Sequence, residues 1–83
     1  MSAKTVIQKF GGVRSMAAKM TEVGQVQKLR HRRVPPTTVQ YWSDEDVIPS
    51  GRQDHVLRTA RYFNIEMEPA ELLAVSPEES TAA

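Results

Sequence analysis

Residues 36–42 read PTTVQYW. Proline fits the first turn of a helix, where its missing N–H leaves no bond unmade. Val39 and Trp42 lie three residues apart, so they share one face. A short helix is predicted from Pro36 to about Ser43 or Asp44, held by that single apolar seam, with Trp42 in the core. Thr37, Thr38, Gln40 and Tyr41 are left to face elsewhere. The run just before this helix, KLRHRR at 28–33, is the most basic in the chain. Polar side chains at the start of a helix, beside a cluster of cations, point toward a polyanionic partner.

Working back toward the N-terminus, Val13, Met16, Ala17 and Met20 recur at i, i+3, i+4 and i+7. This predicts a helix over 13–20, and the small Ala17 and Ala18 would let another helix cross closely. Val6, Ile7 and Phe10 mark one face of an earlier short helix, which Gly11-Gly12 stops. Residues 21–35, TEVGQVQKLRHRRVP, admit several readings. Val23, Val26 and Leu29 are three apart and would continue a helix, whereas Gly24 argues for a break. A mobile basic loop or a small hairpin also fits.

Downstream, SDED at 43–46 marks a polar turn whose carboxylates read as solvated. Ser50 and Gln53 have capping-box spacing and predict a helix start. Val56, Leu57, Ala60 and Phe63 would be its buried face, and Asn64 can end it. Pro69 opens a last short helix carrying Leu72, Leu73 and Val75, which either closes the core or offers an exposed seam for a homodimer. No segment alternates as a strand does. The fold class expected is all-α, a compact bundle of four or five short helices. Residues 1–75 form one domain, and 76–83 form a flexible acidic tail.

The 83 residues contain no cysteine, which removes disulfides and thiolate metal sites. The start, MSAKTVIQKF, lacks an apolar signal-peptide core, and no run reaches the roughly 20 apolar residues of a membrane span. A soluble, cytoplasmic protein is expected. His31 and His55 have no ligand motif around them, so no metal site is predicted. No nucleophile motif surrounds any serine, so neither an enzyme nor a cofactor is expected. The net charge of +1 conceals an asymmetry. Residues 1–33 hold eight cations against Glu22, a formal +7; residues 34–83 hold three arginines against nine carboxylates, a formal −6. One half attracts polyanions, and the acidic half offers a surface for a protein partner. The plain alternative is a solvated surface whose halves attract each other within the fold.

Four pieces taken together resemble a known family: FGGVRSMA (10–17), TTVQYW (37–42), IPSGRQDHVL (48–57) and ARYFNIEMEP (60–69). In this order they resemble helix-turn-helix proteins of the Cro and lambda-repressor superfamily, and within it the small subgroup labelled YdaS-like or carph-isopro. The resemblance implies that the helix over 13–20 crosses the phosphate backbone and that the helix from Pro36 is the recognition helix. Thr37, Thr38, Gln40 and Tyr41 would then face double-stranded DNA. Glutamine pairs with adenine N6 and N7, threonine meets phosphate or a thymine methyl, and tyrosine usually bonds phosphate. Arg14 and Ser15 begin the first helix of the motif, where backbone N–H groups hold phosphate or are simply capped. Lys28, Arg30, Arg32, Arg33 and Arg52 complete the set of expected DNA contacts. The chain departs from the pattern between the two helices. The usual turn is about three or four residues long, whereas here residues 21–35 intervene. The motif is therefore expected to carry an extended, basic inter-helix segment, or a longer first helix. The implied function is a sequence-specific transcriptional regulator, dimeric and nucleoid-associated when bound. The alternative is an assembly module that keeps the fold without reading DNA.

Overall fold

The computed structural model describes residues 3–30 and 32–67, together with Ala70 and Leu72. Among them the chain forms a compact all-α bundle of four short helices without strands. The helices are α1 (Ala3–Lys9), α2 (Val13–Val26), α3 (Pro36–Glu45) and α4 (Ser50–Tyr62). α2 packs against both α3 and α4, and α1 packs against α3 and α2. The expected apolar faces meet in one core. Val6, Phe10, Met16, Met20, Val39, Trp42, Ile48 and Val56 are all within 2% of complete burial. Each large side chain withdrawn from water this way contributes roughly 1.5–3 kcal/mol. Among the described residues, no helix is long and apolar enough to cross a membrane.

Two expectations are corrected and a choice left open is decided. α2 does not stop near Met20 but runs to Val26, straight through Gly24. Glycine is not a breaker here; it is a point of close approach. A Cβ on Gly24 would stand 2.5 Å from the Arg32 carbonyl oxygen and 2.8 Å from the Arg32 Cα. The chain after α2 therefore folds back against this helix where a side chain is missing. Thr21, one turn earlier, fastens it: Val34 N donates to Thr21 Oγ1 at 3.0 Å, and Thr21 Oγ1 donates to Val34 O at 3.2 Å. Val34 is buried as a result, while Val26 is 55% exposed rather than part of the seam. Residues 27–30 and 32–35 thus form neither a hairpin nor a free arm, because their backbone meets α2 at Thr21 and at Gly24.

The second correction concerns α4. Ser50 and Gln53 do not form a capping box, since Pro49 is the N-cap and no side chain caps the helix. Gln53 Nε2 instead donates to the carbonyls of Ile48 at 3.2 Å and Leu72 at 3.3 Å. The choice left open concerns Leu72: it is 1% exposed and belongs to the core, which is the core-closing reading rather than the dimer seam. Leu73, Val75 and the tail at 76–83 lie outside the described residues.

All four helices end through a left-handed residue. Gly11, Lys28, Asp46 and Asn64 have φ of 94°, 52°, 57° and 58°. The residue after each donates back to the helix: Gly12 to Ile7 O, Leu29 to Gly24 O, Val47 to Trp42 O and Ile65 to Ala60 O. This six-to-one bond uses a carbonyl that the last turn leaves unpaired. Gly11 takes the left-handed conformation freely, whereas Lys28 holds it at a cost of about 1 kcal/mol. Asp46 has a further role. Its Oδ1 accepts the Ala3 N–H at 2.8 Å, satisfying a donor that the first turn of α1 cannot use internally.

Candidate nucleic-acid interface

The backbone ties at Thr21 and Gly24 fix where the chain enters α3, and so what faces α2. A groove of about 450 Å³ lies between them. Arg14, Ala17, Ala18 and the one carboxylate, Glu22, line it from α2; Arg33, Val34 and Pro35 line it from the other side. An adjoining groove of about 300 Å³ is lined by Val13, Arg14, Pro36, Thr37 and Gln40. Arg14 and Pro36 belong to both, so Arg14, Arg33, Thr37 and Gln40 are gathered along one side of the molecule.

The α3 side chains divide as Val39 and Trp42 dictate. Both are buried, which leaves Thr37 and Gln40 exposed, Thr38 half-buried and Tyr41 60% exposed. Gln40 is not free to rotate at will: its Nε2 donates to Asp44 Oδ1 at 2.9 Å, one turn along the same helix. Lys28, Arg30, Arg32 and Arg33 are all exposed, and none makes an ion pair among the described residues. Arg14 is exposed in the same way.

Other expected contacts are placed differently. Ser15 is engaged within the fold, accepting a bond from Lys19 Nζ at 2.6 Å. The same ammonium donates to Phe10 O at 3.3 Å, closing the end of α1, and lies 5.6 Å from the centre of the Phe63 ring. Ser15 does not cap α2, whose N-cap is Gly12. Arg52 is half-buried and is separated from the α3 group. It lines a small pocket of about 110 Å³ with Leu29, Arg30, Gly51, Asp54 and His55. Its Nη1 is buried without a hydrogen-bond partner. An unpaired buried donor costs about 1–3 kcal/mol, and more when it carries charge. His55 is buried, with Nε2 2.6 Å from Met20 O, so that nitrogen carries a proton and ties α4 to α2. His31 lies outside the described residues. Among those described, no group of three His, Asp or Glu side chains is arranged to hold a metal.

The carboxylates at 44–46 correct a further expectation. They are not merely a solvated turn, because Asp44 holds Gln40 and Asp46 caps α1. The Gln40–Asp44 bond had a legible signal: a glutamine and an aspartate four apart on a helix are neighbours. The Asp46 contact had none, since its partner lies 43 residues away. Comparison of the chain with protein-family models, with curated proteins and with solved structures returns no match.

Proposed function

We propose that this chain binds double-stranded DNA as a small transcriptional regulator of the helix-turn-helix kind, with α2 and α3 as the two helices of the motif. The reading rests on one observation above the others. Arg14, Arg33, Thr37 and Gln40 line adjoining grooves at the start of α3, and the arginines there make no ion pair among the described residues. Cations left unpaired beside the polar end of a helix suit a phosphate backbone with a base edge next to it. In this proposal the start of α3 enters the major groove and Thr37 and Gln40 meet bases. Tyr41 bonds phosphate, and Lys28, Arg30, Arg32 and Arg33 follow the backbone alongside. Ser15 and Arg52 are dropped from the DNA-facing group, being occupied or half-buried. Residues 27–35 replace the short turn of the motif with a basic segment fastened to α2.

The test is DNA binding as a function of salt. Wild-type chain should bind mixed duplexes more weakly as salt rises, with a steep log–log slope. Replacing Lys28, Arg30, Arg32 and Arg33 with alanine should lower that slope by roughly 0.9 for each phosphate no longer neutralised. Stability should stay within about 0.5 kcal/mol, because these side chains hold nothing in the fold. An unchanged slope in the stable variant would remove the basic segment from the interface. Failure of the wild type to bind any duplex at low salt would leave the assembly-module reading.

A further inference from the structure

We infer that Asp44 is a positioning residue that fixes the Gln40 amide and thereby makes it select adenine over guanine. This rests on the DNA-binding reading above. A carboxylate only accepts hydrogen bonds, so the group of Gln40 that faces Asp44 is its amide nitrogen, as the 2.9 Å bond requires. One of the two Nε2 hydrogens is thereby used. The face left over carries one acceptor, Oε1, and one donor, the second Nε2 hydrogen.

That pair has a definite complement. The major-groove edge of adenine offers the N6 amino donor beside the N7 acceptor, which matches one acceptor and one donor in a plane. Guanine offers two acceptors, N7 and O6. An unrestrained glutamine satisfies guanine by turning both Nε2 hydrogens toward it. With one hydrogen held by Asp44, that arrangement is lost and guanine O6 meets Oε1 instead. Asp44 itself touches no base. It lies one turn further from the helix start and acts through Gln40. Both side chains are exposed and neither carries any core packing, so their replacement leaves the fold in place.

The preferred duplex is first selected from a random library with wild-type protein, and the base read by Gln40 is the position where Gln40→Ala loses discrimination. The quantity to measure is the adenine-to-guanine affinity ratio there, for Asp44→Ala and Asp44→Asn. Asp44→Ala should lower the ratio roughly twofold, the worth of one exposed hydrogen bond between side chains four apart on a helix. Asp44→Asn keeps an acceptor at the same place without charge and should restore most of it. Both variants should gain similar non-specific affinity by losing a negative charge, so charge cannot account for a difference between them. A ratio unchanged in Asp44→Ala, while Gln40→Ala still abolishes it, overturns this inference and leaves DNA reading intact. Equal loss in Asp44→Ala and Asp44→Asn also overturns it, since the acceptor would then be irrelevant. Absence of DNA binding by the wild type overturns both.

Discussion

Residues 27–35 and residues 46–49 lead the chain into and out of α3, and each passes through a left-handed residue, Lys28 in one and Asp46 in the other. They use charge in opposite ways. At the end of α3 the acidic side chains are already engaged: Asp46, just past the helix, caps α1, and Asp44, in its last turn, accepts a bond from Gln40 on the surface. In the segment before α3 the backbone is held by Thr21 and by the space at Gly24, and the side chains of Lys28, Arg30, Arg32 and Arg33 make no hydrogen bond or ion pair among the described residues. A surface charge paired inside a protein has little left to offer a partner. Four cations on a fixed backbone, none of them in an ion pair among the described residues, retain their full attraction for an anion and lose little mobility on meeting it.

The contrast can be broken most directly at Gly24. Gly24→Ala should lose about 2–3 kcal/mol in urea denaturation, despite the better helix propensity of alanine, because the added Cβ meets backbone at Arg32. A neutral or stabilised variant would mean that residues 27–35 are not seated on α2. Next comes Thr21→Val, which keeps the shape and removes both bonds to Val34. A loss of about 1–2 kcal/mol is expected, and a loss below about 0.3 kcal/mol would show the tie to be idle. Asp46→Ala should lose about 1 kcal/mol through the α1 cap, and Asp46→Asn less, since asparagine keeps an acceptor and tolerates a left-handed backbone. Equal losses in the two variants would assign the effect to charge rather than to the cap. Smallest is Lys28→Gly, which should gain about 0.5 kcal/mol by relieving the left-handed backbone. A loss there would give the Lys28 side chain a structural part that the contrast denies it.

What the sequence made legible was whatever local spacing governs. The seams Val6–Phe10, Val13–Met20 and Val39–Trp42 are statements about helical period, and all three face the core, with Val13 alone only partly buried. Pro36, Gly11 and Asn64 act at helix ends through their own backbone preferences, and they stand where those preferences place them. The misreadings share a cause. Gly24 breaks a helix by propensity, but the same missing side chain admits a neighbouring backbone, and the packing prevails. Ser50 and Gln53 have the spacing of a cap, yet Pro49 takes the cap position and the Gln53 amide nitrogen donates to carbonyls at Ile48 and Leu72. Lys28 carries no sign of a left-handed residue, because it is held there by the Leu29 bond to Gly24 rather than by its own preference. For the candidate site, the exposure of Thr37, Gln40 and Tyr41 was readable from the period of α3. The engagement of Ser15 by Lys19, four residues on in the same helix, was equally readable from that period, whereas the half-burial of Arg52 was not, since it depends on where other elements lie.

The Thr21 clamp sets an order of events. Thr21 and Val34 are 13 residues apart, whereas Ala3 and Asp46 are 43 apart. Closing the shorter loop costs less chain entropy, so α2, the segment after it and the start of α3 are expected to assemble before the Asp46 cap on α1 closes. The two ties should therefore leave different kinetic marks. Thr21→Val should mainly slow refolding, and Asp46→Ala should mainly hasten unfolding. The proposed DNA-reading face would then be shaped early in folding, with the N-terminal helix added as the last fastening.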